Sequence, residues 1–187
     1  LSRIKFMRKE LFGPLLAAAQ KYHNNKNELG DLKFAIKNIS ADKSIKIDGH
    51  LDDSAWKSTE KLYLIPYKNE NVASVKTSVM GASDNKYIYF AFECCEPLMD
   101  KLEASKRTPD DSSIWRDSGV EIFLNPSGDR KNYYQWIINA AGSMVDLKCS
   151  KKASESIVNP KWSSNAKYAV ARNKDSWTAE IAIPRSA

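Results

Sequence analysis

The run Gly119-Val120-Glu121-Ile122-Phe123-Leu124-Asn125 is followed, after a turn at Pro126-Ser127-Gly128-Asp129, by Asn132-Tyr133-Tyr134-Gln135-Trp136-Ile137-Ile138-Asn139-Ala140, and together they read as a β-hairpin. Val120, Ile122 and Leu124 alternate with Glu121, Phe123 and Asn125, while Tyr134, Trp136 and Ile138 alternate with Gln135, Ile137 and Asn139. Successive side chains of a strand point to opposite faces, so each run offers one face to a core. A register pairing Leu124 with Tyr134, Ile122 with Trp136 and Val120 with Ile138 puts both apolar sets on one side, whereas a one-residue slip would turn a strand over. Glu121 then stands opposite Ile137 and diagonal to Gln135 and Asn139. One carboxylate and two amides on a shared face suit hydroxyl-bearing ligands when an aromatic platform lies beside them; a solvated outer face is the plain alternative.

Working outward, the same short alternating runs recur from Leu32 on: 33–39, 61–67, 73–82, 87–93, 143–149, 166–172 and 176–183, separated by turns such as Ser83-Asp84-Asn85-Lys86. Many short strands with polar turns predict an all-β fold, an antiparallel β-sandwich, over residues 32–187. Residues 2–23 read differently. Ile4, Met7, Leu11, Leu15, Ala18 and Tyr22 recur at three- and four-residue steps, which predicts a short α-helical arm kinked at Pro14, with a linker to Asp31. Such an arm cannot bury its stripe alone, so it is expected to dock on the sandwich, on a parent domain or on a protein partner. The chain starts at Leu1 rather than Met, which is expected of a piece of something longer.

The 187 residues, 42% hydrophobic and 28% charged, form an ordinary globular composition. No apolar run reaches the roughly 18 to 20 residues that a membrane-spanning helix needs. Of the net charge of +6, residues 1–33 hold a surplus of four, and a dispersed surplus of this kind is a solvated surface rather than a nucleic-acid footprint. Three Cys, two of them adjacent at Cys94-Cys95, and two His, His23 and His50, do not have zinc-ligand spacing.

Five blocks carry a family resemblance. They are Ile45-Lys46-Ile47-Asp48-Gly49-His50-Leu51-Asp52-Asp53-Ser54-Ala55-Trp56, then Tyr87-Ile88-Tyr89-Phe90-Ala91-Phe92, then Trp115-Arg116-Asp117-Ser118-Gly119-Val120-Glu121, then the second hairpin strand through Gly142, and Trp177-Thr178-Ala179-Glu180-Ile181-Ala182-Ile183-Pro184. In this order they resemble carbohydrate-binding module family 9 over residues 45–184. The resemblance implies a sugar-binding β-sandwich attached to secreted or surface glycan-handling proteins of bacteria, and hence a place outside the cytoplasm. It also implies Trp115 as a stacking aromatic, flanked by Arg116, and Glu121 as a hydroxyl acceptor, with Gln135 and Asn139 on the neighbouring strand. An indole face meets the C–H groups of a sugar ring, and a carboxylate bonds vicinal hydroxyls. Ile137 stands where the family pattern carries an Arg facing the Glu. The pattern's last strands, with a second aromatic, would fall after Ala187.

The remaining candidates carry two readings each. Trp56, Trp136 and Trp177 fall in apolar register and are expected in the core. Trp162, between Pro160-Lys161 and Ser163-Ser164, is a candidate second platform or a plug on the sandwich edge. Asp48, Asp52 and Asp53 around Gly49 would suit calcium, or else satisfy turn donors. No other cofactor or metal is called for: Met80, Met144, Lys148 and His50 give no haem-ligand spacing. Cys94 shares a face with Ile88, Phe90 and Phe92, and Cys149 with Val145 and Leu147, so a Cys94–Cys149 disulfide and two buried thiols both fit. No second carboxylate shares Glu121's face and no His accompanies a motif Ser or Cys, so the chain reads as a binding module and not an enzyme. The alternative is a protein-interaction sandwich with a degenerate sugar site.

Overall fold

The computed structural model describes residues 3–8, 34–40, 43–64, 75–129, 131–152, 155–159 and 161–187. They build two sheets. The first has the order β1 (Arg3–Arg8), β6 (Gly119–Asn125), β7 (Asn132–Asn139), β8 (Met144–Lys152), β9 (Glu155–Asn159), all antiparallel. The second runs β10 (Lys167–Arg172), β11 (Ser176–Pro184), β5 (Tyr87–Cys95), β4 (Thr77–Ser83) and β2 (Lys37–Asn38), with β3 (Leu62–Tyr63) sharing β4's edge. Its pairings are antiparallel except the two-residue β2–β4 contact. Among the described residues no helix is long and apolar enough to cross a membrane.

The expected helical arm is corrected at its start: residues 3–8 form a strand along β6, with Ile4 opposite Leu124, Phe6 opposite Ile122 and Met7 opposite Glu121. Arg-Ile-Lys-Phe is an alternating run as well as the start of a helical stripe. Over six residues the two periods cannot be told apart, and an open edge of β6 supplies hydrogen-bonding partners that a lone helix lacks. The rest of the expected arm and its linker, residues 9–31, lies outside the described residues.

The hairpin register is the one that the alternation demands, Val120 with Ile138, Ile122 with Trp136 and Leu124 with Tyr134. These residues meet Val79, Phe90, Phe92, Ala179, Ile181 and Trp177 of the other sheet in one core. Trp136 and Trp177 are buried there, as expected. The Trp136 Nε1 donates to Ser164 Oγ at 2.9 Å, whereas the Trp177 Nε1 has no partner among the described residues.

A second core covers the outer face of the β10–β2 sheet, where Ile39, Ile45, Ala55 and Trp56 pack on Met80, Tyr89, Ala91 and Ala182. Its polar anchor is Glu180, 0% exposed. Glu180 Oε1 accepts the Trp56 Nε1 at 2.8 Å, and Oε2 accepts the backbone N–H groups of Gly49 at 2.8 Å and Asp48 at 3.1 Å. The backbone must come close to deliver them. Gly49 has φ +89°, and a Cβ there would sit 2.7 Å from the Ala171 nitrogen, so no other residue fits without displacement. The neighbouring acids serve the turn and do not gather around a cation: Asp48 accepts from the His50 N–H and pairs with Lys46, and Asp53 accepts from the Lys46 N–H. Among the described residues no group of three or more His, Cys, Asp or Glu is placed to hold a metal.

The face assigned to Cys149 is corrected. Val145 pairs with Ile137 and Cys149 with Tyr133, so Val145, Leu147 and Cys149 lie on the outer face of their sheet, away from Cys94 in the inter-sheet core. All three cysteines are free. The outer face of β8 is the more buried one, with Val145 and Cys149 buried, whereas Lys148 on the core side is exposed, so apolar alternation alone does not say which face meets the core.

Removing the Glu180 carboxylate leaves three donors unpaired, two of them buried and one half-buried, each buried one at about 1 to 3 kcal/mol. Glu180→Leu is therefore expected to lose at least about 3 kcal/mol in urea-induced unfolding, and Trp56→Phe, which deletes one donor along with its acceptor contact, distinctly less. Equal losses would show that Glu180 does not bind the loop in this way.

Candidate functional site

The hairpin's outer face is the one that the 3-10 turn Ser112–Arg116 covers. Ile114 is buried against Ile137 and Val145. Because Ile137 is the cross-strand partner of Glu121, this packing brings the neighbouring Trp115 to the same side of the sheet as Glu121. Trp115 is 39% exposed, and the Arg116 guanidinium lies 5.2 Å from its ring centroid.

A network of charges holds this turn. Arg107 donates from Nε to Asp117 Oδ2 at 2.9 Å and from Nη1 to Ser113 Oγ at 3.0 Å, and its Nη2 reaches the second Asp117 oxygen. Asp111 caps the turn by accepting from the Ser113 N–H at 2.9 Å. The Arg107 guanidinium, with the Asn139 amide beside it, holds the Asp117 carboxyl below the usual carboxylate range despite burial. Nothing in the residue spacing singled out Arg107; Asp110, Asp111 and Asp117 are legible only as an acidic group, and the structure shows Asp111 and Asp117 serving this turn.

Asn139 belongs to this network and not to a surface. It is 0% exposed; its Nδ2 donates to Asp117 at 2.7 Å and to the Ser105 carbonyl at 2.8 Å, and its Oδ1 accepts from the Ser143 N–H at 2.8 Å. Both ends of its amide are thus occupied in positioning the loop. Trp162 is also placed elsewhere. It packs at 4.9 Å on Tyr134, tilted, and edge-on at 6.1 Å against Trp136, so it lies at the sandwich rim on the core side of the sheet.

Glu121 and Gln135 do come together, with the Gln135 Nε2 donating to Glu121 Oε2 at 2.9 Å. Both are buried, Glu121 at 4% exposure. Desolvation pushes the Glu121 carboxyl up to about 7, the Gln135 bond only partly offsetting it. Ile137 opposite supplies no charge to counter this.

An antiparallel sandwich with an aromatic and a carboxyl–amide pair on one outer face belongs to the class of ligand-binding modules. Residues 47–187 match the family described as carbohydrate family 9 binding domain-like, and the chain belongs to that family. Solved structures share the fold. A family 9 carbohydrate-binding module from Caldicellulosiruptor kristjanssonii in complex with glucose is 18% identical with a TM-score of 0.53, over 83% of this chain and 70% of that one. The cellotriose complex of a family 9 module from the same organism gives a TM-score of 0.55 at 18% identity, over 83% and 69%. A candidate carbohydrate-binding protein from Bacteroides uniformis gives 0.58 at 18% identity, over 81% and 72%. No curated protein matches the sequence.

The raised Glu121 carboxyl sets a pH dependence of stability. Its folded value of about 7 lies above the ordinary 4.5, so the fold favours the protonated form. That contribution is fully present below pH 4.5 and is lost as pH rises through 7, a change of up to about 3 kcal/mol. Comparing urea unfolding of the wild type and Glu121→Gln at pH 5 and pH 8 isolates it: the wild type is expected to lose more stability than the variant on going to pH 8. Parallel losses would place Glu121 in contact with water.

Proposed function

We propose that the chain is a non-catalytic carbohydrate-binding module that takes a glycan on the Trp115 surface. The observation that carries this reading is Trp115 itself, a large aromatic left 39% exposed on a turn that Arg107, Asp111 and Asp117 otherwise clamp. A rigid platform loses little conformational freedom on binding. The indole would stack on a sugar ring, Arg116 would donate to its hydroxyls, and Glu121 with Gln135 would supply the polar pair at the platform's inner edge. Family membership supports the ligand class, and the glucose and cellotriose in the relatives' structures make β-glucosides the first ligands to try. One platform on an open face binds weakly, near millimolar, about 4 kcal/mol.

The module would serve a larger glycan-handling protein outside the cytoplasm, which it would hold on its polysaccharide. The burial of Glu121 favours a second reading, a protein-interaction sandwich whose sugar site has degenerated.

Titration with glucose, cellotriose and a panel of other soluble oligosaccharides separates the two. Trp115→Ala is expected to abolish binding while costing under about 1 kcal/mol of stability, because the side chain is surface and not core. No binding by the wild type to any member of the panel would favour the degenerate-site reading, and unchanged affinity in the variant would remove Trp115 from the site.

A further inference from the structure

The opposite face of the same sheet carries a second concavity, at its far end. Along β7, β8 and β9 the register lines up two rows, Asn132–Ser150–Ile157 and Tyr134–Lys148–Asn159. These rows continue the core side of the sheet past the sandwich and enclose a cavity of about 250 Å³. Its aromatic wall is Tyr134, braced from behind by Trp162 at 4.9 Å. The Lys148 Nζ stands 5.7 Å from the Tyr134 ring centroid and makes no ion pair among the described residues.

The polar groups here have complementary free ends. Asn132 uses its Nδ2 on Asp129, at 2.6 Å, and leaves its Oδ1 as an acceptor. Asn159 uses its Oδ1 on the Lys161 N–H, at 3.1 Å, and leaves its Nδ2 as a donor. Ser150 adds a hydroxyl that can do either. One acceptor, one donor and one hydroxyl beside an aromatic ring match a ring bearing several hydroxyls, and the lone ammonium asks for an anion. The volume falls below the roughly 300 to 1,000 Å³ of sites for drug-sized ligands, which limits the occupant to a single ring.

We propose that this cavity is a second glycan site, specific for one acidic sugar residue, a hexuronate, with its carboxylate on Lys148 and its hydroxyls on Asn132, Ser150 and Asn159. It is separate from the Trp115 surface. Tyr134 lies three residues along β7 from Ile137, roughly 10 Å, and on the other face of the sheet.

The test is a titration of the full chain, followed by backbone amide NMR at pH 7 and fixed ionic strength, with glucuronate, galacturonate, glucose and inorganic sulfate. At least one uronate is expected to shift amides at 148–150 and 157–159 with a millimolar Kd, and glucose and sulfate to shift them at least about tenfold more weakly. Lys148→Gln should raise that Kd about tenfold and Asn159→Ala several-fold, both being exposed substitutions, while Trp115→Ala leaves it unchanged. The proposal is overturned if neither uronate shifts these amides, if Lys148→Gln has no effect, if glucose binds as tightly, or if sulfate alone does, which would mark a simple anion site. Loss of uronate binding in Trp115→Ala would also overturn it by assigning the ligand to the first surface. None of these results bears on whether a neutral glycan binds at Trp115.

Discussion

Three N–H groups, from Trp56, Gly49 and Asp48, converge on the carboxylate of Glu180 at the centre of β11. A carboxylate with no exposed surface is costly to bury unless its oxygens are occupied, and here desolvation still pushes its pKa up. Strand β11 and the 45–56 loop, far apart in sequence, are therefore stable only together. Their union covers the outer face of one sheet and gives it a second core. The other sheet's outer face is covered differently, by the Ser112–Arg116 turn through Ile114. The close backbone approach also explains Gly49, where a side chain would collide with β10.

Four buried acids are handled in different ways, and the differences separate structure from function. Glu180 is met by N–H donors, Asp117 by the Arg107 fork and the Asn139 amide, and Asp146 by the hydroxyl and backbone of Ser164, with Oγ at 2.6 Å. Each of these ties a loop to a strand. Glu121 is different: Gln135 is its one side-chain hydrogen-bond partner among the described residues, its cross-strand neighbour is Ile137, and its carboxyl is pushed up to about 7. Among the described residues, then, Glu121 is the buried acid whose one partner is a side chain on the adjacent strand of its own sheet.

The same sheet thus presents distinct chemistry on its two faces. Its outer face is apolar around Ile114, Ile137 and Val145, with Glu121 and Gln135 set among them. Its core side is lined at the rim by Trp162, and beyond that plug β7, β8 and β9 extend with the polar Asn132, Lys148, Ser150 and Asn159. A strand period of two lets one pair of strands serve both surfaces without conflict.

Residue pattern alone determined the sandwich, most of its strands, the hairpin register, and the burial of Trp56, Trp136 and Trp177, because alternation in β6 and β7 allows one pairing that hides both apolar sets. It also brought Glu121 beside Gln135, which are diagonal neighbours in that register. Tertiary structure decided the rest. Arg3–Arg8 is too short for its period to distinguish helix from strand, so the free edge of β6 chose. Cys149 lies outside the core although its face of β8 is the more buried one, and only its pairing with Tyr133 says which face is which. Asn139 and Glu121 have the same parity on neighbouring strands, yet one clamps a loop and the other bonds to Gln135 within the hairpin. The partners of Asn139, Asp117 and the Ser105 carbonyl, are chosen by where the 105–118 segment folds back over the sheet, a long-range packing that no local spacing encodes.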